Sequence, residues 1–186
     1  MTSKRLFDLA IAVPAGLVAL PLVILLSVLI GLVDRQDPIF RQIRLGRNER
    51  PFTMYKLRTM RVGTDEAPTH KISASSVSKL GRFLRATKLD ELPQLWSVIV
   101  GDMSLVGPRP GLTDHDELTQ KRREKGVFSL VPGITGVSQI KKIDMSDVDV
   151  LAESDARYIG RDSIPLDLKI IWATIVGRGG GDRVAD

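Results

Sequence analysis

Hydrophobic and polar positions divide the chain into one long uncharged run followed by short periodic segments. Residues 9–33 carry no charged side chain. That run exceeds the about 20 apolar residues a helix needs to span a bilayer. Pro14, Gly16 and Pro21 interrupt it, and a proline inside a helix removes a ladder hydrogen bond and bends the axis. Lys4 and Arg5 precede the run, and Arg35, Arg41, Arg44, Arg47 and Arg50 follow it. Basic residues mark the cytoplasmic side of a membrane segment. Basic flanks at both ends predict a re-entrant helix, broken at Pro21, rather than one that crosses. A secretory signal fits less well, because Asp8 adjoins the run, the run is too long, and no small-x-small cleavage site follows.

Beyond the run the period changes. After a turn at Asp37-Pro38, residues 39–45 and 52–60 read as strands around Gly46-Arg47-Asn48-Glu49, a small β-hairpin. Period 2 puts Phe52, Met54, Lys56, Arg58 and Met60 on one face of the second strand. Lys56 and Arg58 then point the same way, either as a solvated face or as two cations aimed at phosphate. Residues 62–78 are polar, contain Pro68, and read as a flexible loop of the length that often serves as a lid. Residues 78–86 suit a short basic amphipathic helix for solvent or an anionic membrane surface. Leu92, Leu95, Trp96 and Ile99 form one helical face, with Gly101 as the stop. Residues 115–125 are charge-dense and read as a solvated helix, and residues 147–158 read as another. Pro165 opens a further helix with Leu168, Ile171, Trp172, Ile175 and Val176 on its apolar face, for a core or an interface. Residues 131–136 make a tight loop whose two glycines admit a close ligand or form a plain turn. The pattern predicts an α+β, predominantly helical fold, with interfacial helices around a site on the cytoplasmic face. Its division is a membrane helix over 1–36, a catalytic domain over 37–177 and a flexible tail over 178–186.

Composition narrows the function. The net charge is +5 with a pI near 9.7, which fits an anionic partner such as a phosphorylated substrate, a nucleic acid or an anionic lipid surface. Aromatic residues make up only 5%, which disfavours stacking platforms for single-stranded nucleic acid. There is no cysteine, so disulfide scaffolds and thiolate metal sites are excluded. His70 and His115 lack metal-ligand spacing.

The candidate chemistry lies between residues 89 and 110. Asp90 and Glu91 stand at or just before a helix N-terminus, where the dipole stabilises carboxylates and free N–H groups attract anions. Further on, Gly107-Pro108-Arg109-Pro110 presents one arginine from a backbone fixed by two prolines. Alone, the acid pair reads equally as a helix cap and the arginine as an exposed loop. Together with a membrane segment and several cations they suit phosphoryl transfer. A carboxylate can attack phosphorus to give an acyl phosphate. Mg²⁺ typically neutralises a diphosphate and is held by one or two carboxylates.

These pieces closely resemble the catalytic domain of the monotopic phosphoglycosyl transferases, the bacterial sugar transferase family. The resemblance rests on Lys56-Leu57-Arg58-Thr59-Met60, Leu89-Asp90-Glu91-Leu92-Pro93-Gln94-Leu95, Gly101-Asp102-Met103-Ser104-Leu105-Val106-Gly107-Pro108-Arg109-Pro110, Pro132-Gly133-Ile134-Thr135-Gly136 and Leu166-Asp167-Leu168-Lys169-Ile170. It runs in order from about Lys4 to Val176, and the chain looks like the family's minimal form. The resemblance implies transfer of a phospho-sugar from a UDP-sugar to polyprenyl (undecaprenyl) phosphate, with release of UMP. It implies a ping-pong path through a covalent phospho-sugar on Asp90, with Glu91 holding Mg²⁺ or assisting proton transfer. Asp90 and Glu91 are the implied metal ligands, Lys56 and Arg109 the implied phosphate contacts, and Asp167 a further acidic position, while Arg58 is a phosphate candidate from the strand period alone. It also implies a bacterial inner-membrane protein with a re-entrant anchor, initiating glycan assembly, and a homodimer is compatible with it.

Two departures stand out. The family often has Ser before the helix-breaking proline, where this chain has Leu20. After Gly136-Val137-Ser138-Gln139, many members continue Asn-Gly-Arg, where this chain reads Ile140-Lys141-Lys142. Lys141 or Lys142 is then the candidate for the missing cation toward the sugar nucleotide. Two alternatives remain at this level: a membrane-bound phosphatase or nucleotide hydrolase using aspartyl chemistry, and a non-catalytic membrane-surface module.

Overall fold

The computed structural model describes residues 2–64 and 76–177. The expected tail over 178–186, His70 and most of the expected loop over 62–78 lie outside the described residues. Helix α1 (Ser3–Val33) is one continuous element, and Thr2 caps it by accepting the Arg5 N–H. Pro14 and Pro21 both lie inside it, so the break expected at Pro21 does not interrupt the helical assignment. A proline forfeits one ladder bond, and the apolar turns on either side still propagate.

Strands β1 (Ile39–Leu45) and β2 (Pro51–Leu57) form the expected antiparallel hairpin, with Ile39 opposite Leu57 and Leu45 opposite Pro51. Asn48 and Glu49 turn it at positive φ. Asn is the residue that tolerates that region best after glycine. β4 (Gly111–Leu112) adds antiparallel to the other edge of β1. β3 (Ser104–Val106) pairs in parallel with β5 (Gly133–Thr135). The helices are α2 (Lys79–Thr87), α3 (Gln94–Val100), α4 (Asp116–Glu124), α5 (Val137–Ile140), α6 (Val148–Ala156) and α7 (Ile164–Ile175). Side chains of Ser78, His115 and Asp147 cap α2, α4 and α6, and Gly101 ends α3 at φ 102°.

Two apolar cores hold these elements. One gathers Ala12, Met54, Val98, Met103, Val106, Tyr158 and Ile170. The other gathers Leu26, Ile30, Leu57 and Leu84. α1 contributes to both, so its two halves lie against the same folded unit. Between those contacts it shows lipid-like surface, with Leu17 69% and Val18 80% exposed. Polar bonds fix each end. Arg5 donates to the Val98 and Ile99 carbonyls at the end of α3. Asp8, almost fully buried, accepts from the Ser104 hydroxyl at 2.8 Å and the Leu105 N–H at 3.2 Å. At the other end, the Ser78 hydroxyl donates to Asp34 at 2.8 Å.

One expectation is corrected, and one left open is resolved. α4 is not simply solvated: Leu118 and Arg122 are buried, for reasons given below. α7 turns most of its apolar stripe outward, with Leu168, Trp172, Ile175 and the following Val176 exposed, while Ile171 packs partly buried on the first core and Asp167 and Ile170 are buried. Most of the stripe therefore serves a surface, and Ile171 ties it to the core.

Candidate active site

The acid pair stands at the junction of α2 and α3. Lys88 ends α2 in the left-handed region at φ 58°, and residues Leu89–Glu91 follow as one turn of 3-10 helix. Pro93 then precedes α3. Leu89 packs on the core that holds Leu26 and Ile30, which anchors this turn beside the second half of α1. Asp90 is buried within it.

Glu91 is the electrostatic hub. Its Oε1 accepts from Arg109 Nη2 at 3.0 Å and lies 3.9 Å from Lys56 Nζ. Lys56 comes from β2 and Arg109 from the loop between β3 and β4, so three distant segments converge. All three side chains are at least four-fifths buried. Coulombic attraction is stronger there than in open water. Two carboxylates and two cations give this cluster no net charge, and an incoming diphosphate adds negative charge to it.

The loop that carries Arg109 is held along its length. Gly107 N–H donates to Thr135 O at 2.8 Å, and Pro108 O accepts from Gly133 N–H at 2.9 Å. A Cβ on Gly133 would stand 2.1 Å from Gly107 N, and one on Gly136 2.2 Å from Gly107 O. The two glycines of the tight loop thus admit another stretch of backbone, not a ligand. Arg109 O accepts from Arg122 Nη1 at 2.9 Å, and Pro110 O from Arg44 Nη1 at 3.2 Å. Arg122 also donates twice to Asp155 Oδ2, at 3.1 and 2.6 Å, and Ser138 Oγ donates to Asp155 Oδ1 at 2.6 Å. Sequence reading missed Arg122 and Asp155, since nothing in a run of charges distinguishes the one that turns inward.

The other expected residues lie elsewhere in the hydrogen-bond pattern. Arg58 falls just past the end of β2. Its Nε donates to the Asp37 carbonyl at 2.7 Å, and its guanidinium stands over Phe40. The strand period that would align it with Lys56 ends one residue too early. Asp167 accepts from Lys4 Nζ at 2.6 Å and from the Tyr158 hydroxyl. Those bonds tie α7 to the start of α1. Burial, and then the hydrogen bond to Asp167, push the Tyr158 phenol well above its usual range. Lys141 and Lys142 are exposed, and Lys142 stands at φ 59°. Lys141 lines a cleft of about 400 Å³ with Lys125, Asp149, Glu153, Ser154 and Arg157.

Among the described residues no cluster of three or more metal-ligating side chains converges. The donor set available is the adjacent pair Asp90 and Glu91. Two carboxylates suit a Mg²⁺ ion that is bound largely through substrate phosphates rather than caged by protein.

The chain matches the family model described as bacterial sugar transferase over residues 1–178. It is 38% identical over 177 residues to an uncharacterized sugar transferase, EpsL, of Bacillus subtilis (strain 168), covering 94% of this chain and 86% of that protein. A similarity of 33% over 191 residues extends to the exopolysaccharide production protein PSS of Rhizobium leguminosarum bv. phaseoli, covering 93% of each. It is also 33% identical over 184 residues to a UDP-glucose:undecaprenyl-phosphate glucose-1-phosphate transferase of Klebsiella pneumoniae, and here the chain spans only 40% of the relative's length. It spans 42% of a galactosyl transferase, CpsE, of Streptococcus agalactiae serotype III (strain NEM316), at 37% identity. Asp90 is buried and the partly buried Glu91 beside it meets a lysine and a proline-fixed arginine, in a unit packed against a long apolar helix. The chain belongs to the bacterial sugar transferase family.

Proposed function

We propose that the protein transfers a sugar phosphate from a UDP-sugar to polyprenyl phosphate. The observation that carries this reading is Glu91 drawn between Arg109 and Lys56 beside the buried Asp90. The names of relatives that act on UDP-glucose and undecaprenyl phosphate support it.

In the first step an Asp90 carboxylate oxygen attacks the phosphorus that bears the sugar. The bond from that phosphorus to the bridging oxygen breaks, and UMP leaves with the electron pair. Asp90 then carries the phospho-sugar as an acyl phosphate. In the second step an oxygen of polyprenyl phosphate attacks the same phosphorus and displaces Asp90, giving a polyprenyl diphosphate sugar. Arg109 and Lys56 are placed to bind phosphate oxygens, and Glu91 holds both beside Asp90. Mg²⁺, when bound with the diphosphate, would be held by Asp90 and Glu91 and would neutralise charge on the leaving phosphate. The acceptor is a lipid, which accounts for an apolar helix joined directly to the catalytic unit.

The anchor is read as re-entrant, with both ends on the cytoplasmic side. This is supported by basic residues on both flanks and by polar bonds from both ends of α1 to one folded unit. The exposed Phe83, Trp96 and Trp172 suit the interface, where amphipathic rings collect.

Purified protein with Mg²⁺ and single UDP-sugars, UDP-glucose among them, but no lipid, tests the reading. A burst near one UMP per enzyme and a matching phospho-sugar mass adduct are expected. Asp90→Asn abolishes both. Sustained release without lipid identifies a hydrolase instead, and an adduct that survives Asp90→Asn removes Asp90 as nucleophile.

A further inference from the structure

The proline-bounded loop that presents Arg109 has few N–H groups of its own to hold it. Its carbonyls do that work. Pro108 O is taken by β5, Arg109 O by Arg122 and Pro110 O by Arg44. Both arginines are braced. Gln42 Oε1 accepts from Arg44 Nε at 3.0 Å and Nη2 at 2.6 Å. Arg122 is 2% exposed and Asp155 2%, and Ser138, which completes the chain of bonds, is 1% exposed.

A fully buried ion pair is a poor device for stability alone, since apolar side chains of the same volume do as well or better. Arg122 does one thing an apolar chain cannot. It delivers a donor to the carbonyl of the residue whose guanidinium meets Glu91. We infer that Arg122 is a positioning residue for Arg109. Asp155 and Ser138 fix its guanidinium, and the fixed guanidinium sets the register of the Arg109 backbone. The chain of bonds runs Ser138, Asp155, Arg122, Arg109 and Glu91, and joins α5, α6 and α4 to the acid pair. Arg122 touches no substrate in this account. It acts only through Arg109, so its loss matters only while Arg109 is present.

The inference rests on the functional reading above for its kinetic test, and the test has a second arm that does not. The full chain is prepared as wild type, Arg122→Gln, Ser138→Ala, Arg109→Ala and the Arg122→Gln/Arg109→Ala double variant. With a UDP-sugar that the wild type turns over, kcat/KM falls about 10- to 100-fold in Arg122→Gln and in Arg109→Ala, the scale of a misplaced binding group. The double variant loses no more than about twofold beyond the worse single, because the two act as one unit. Ser138→Ala, which leaves the ion pair in place, moves the same way by a smaller factor and carries the test if Arg122→Gln does not fold. Losses that multiply, or a lowered burst amplitude at unchanged KM, overturn the proposal and leave a purely structural ion pair. Amide hydrogen exchange over residues 104–112 is the second arm. It accelerates in Arg122→Gln and Ser138→Ala but not in Arg109→Ala, and unchanged exchange in the first two overturns the proposal. A wild type that releases no UMP from any UDP-sugar, even with lipid, defeats the functional reading alone, and exchange then decides the positioning role.

Discussion

Tyr158 shows how far one buried hydrogen bond reaches into solution behaviour. Its hydroxyl donates to Asp167, and burial together with that carboxylate raises the phenol's pKa. An acid whose folded pKa is raised contributes stability that is complete below the unfolded value, about 10 for tyrosine. The contribution is lost as pH rises above that value, because only the unfolded chain can ionise. The chain has two tyrosines. In a Tyr55→Phe variant, phenolate absorbance is therefore expected to appear only together with unfolding on alkaline titration. A phenolate signal at about pH 10 in protein that retains native circular dichroism would contradict this. Asp167 was legible as an acidic position but not as the partner of Lys4 and Tyr158. Those partners are far away in sequence, and no local pattern encodes such a meeting. Asp90, Glu91 and Arg109 were legible because the turn, the helix start and the two prolines that frame them are local.

Among elements, α1 departs most from what an apolar run alone would suggest. A plain anchor needs only length and hydrophobicity. This one carries Asp8, whose carboxylate satisfies the Ser104 hydroxyl and the Leu105 N–H inside the protein. A lone acid at the edge of a long apolar run was the available signal, since such residues face protein rather than lipid. Asp8→Ala leaves those buried donors unpartnered, at about 1–3 kcal/mol. A lowered melting temperature in detergent, larger than that of a substitution at the exposed Val18, checks it. Equal effects at both positions would reduce Asp8 to an ordinary surface residue. α7 teaches the opposite lesson. Its apolar stripe was read from spacing, but which side it faces was left open between core and interface. Period identifies a face and says nothing about what lies against it. β2 was found to within a few residues, and the strand's end between Leu57 and Arg58 decided which cation reached the acid pair.

For the whole molecule, the placement of both ends of α1 on one unit makes a topological prediction. The sequence lacks cysteine, so Ser3→Cys and Arg35→Cys each introduce a single thiol at an exposed position. An impermeant maleimide applied to intact spheroplasts is expected to label neither, and applied to inside-out vesicles to label both. Labelling from opposite faces would mean that the helix crosses. The general architecture, helical with a small hairpin, was legible from period and punctuation. The parallel pairing of β3 with β5 was not, because three-residue strands carry no periodic signature. The long-range bonds of α1 also constrain how the protein is made. Lys4 and Asp167 lie 163 positions apart, and Asp8 is 96 positions from Ser104. At a synthesis rate of about 5–20 residues per second, roughly 10–30 s separate the emergence of Lys4 from that of its partner. During that interval the apolar helix is already made, while Asp8 waits for Ser104 and Lys4 waits longer still for Asp167. Completion of the chain, rather than insertion of its first helix, is then the step that commits the molecule to its native state.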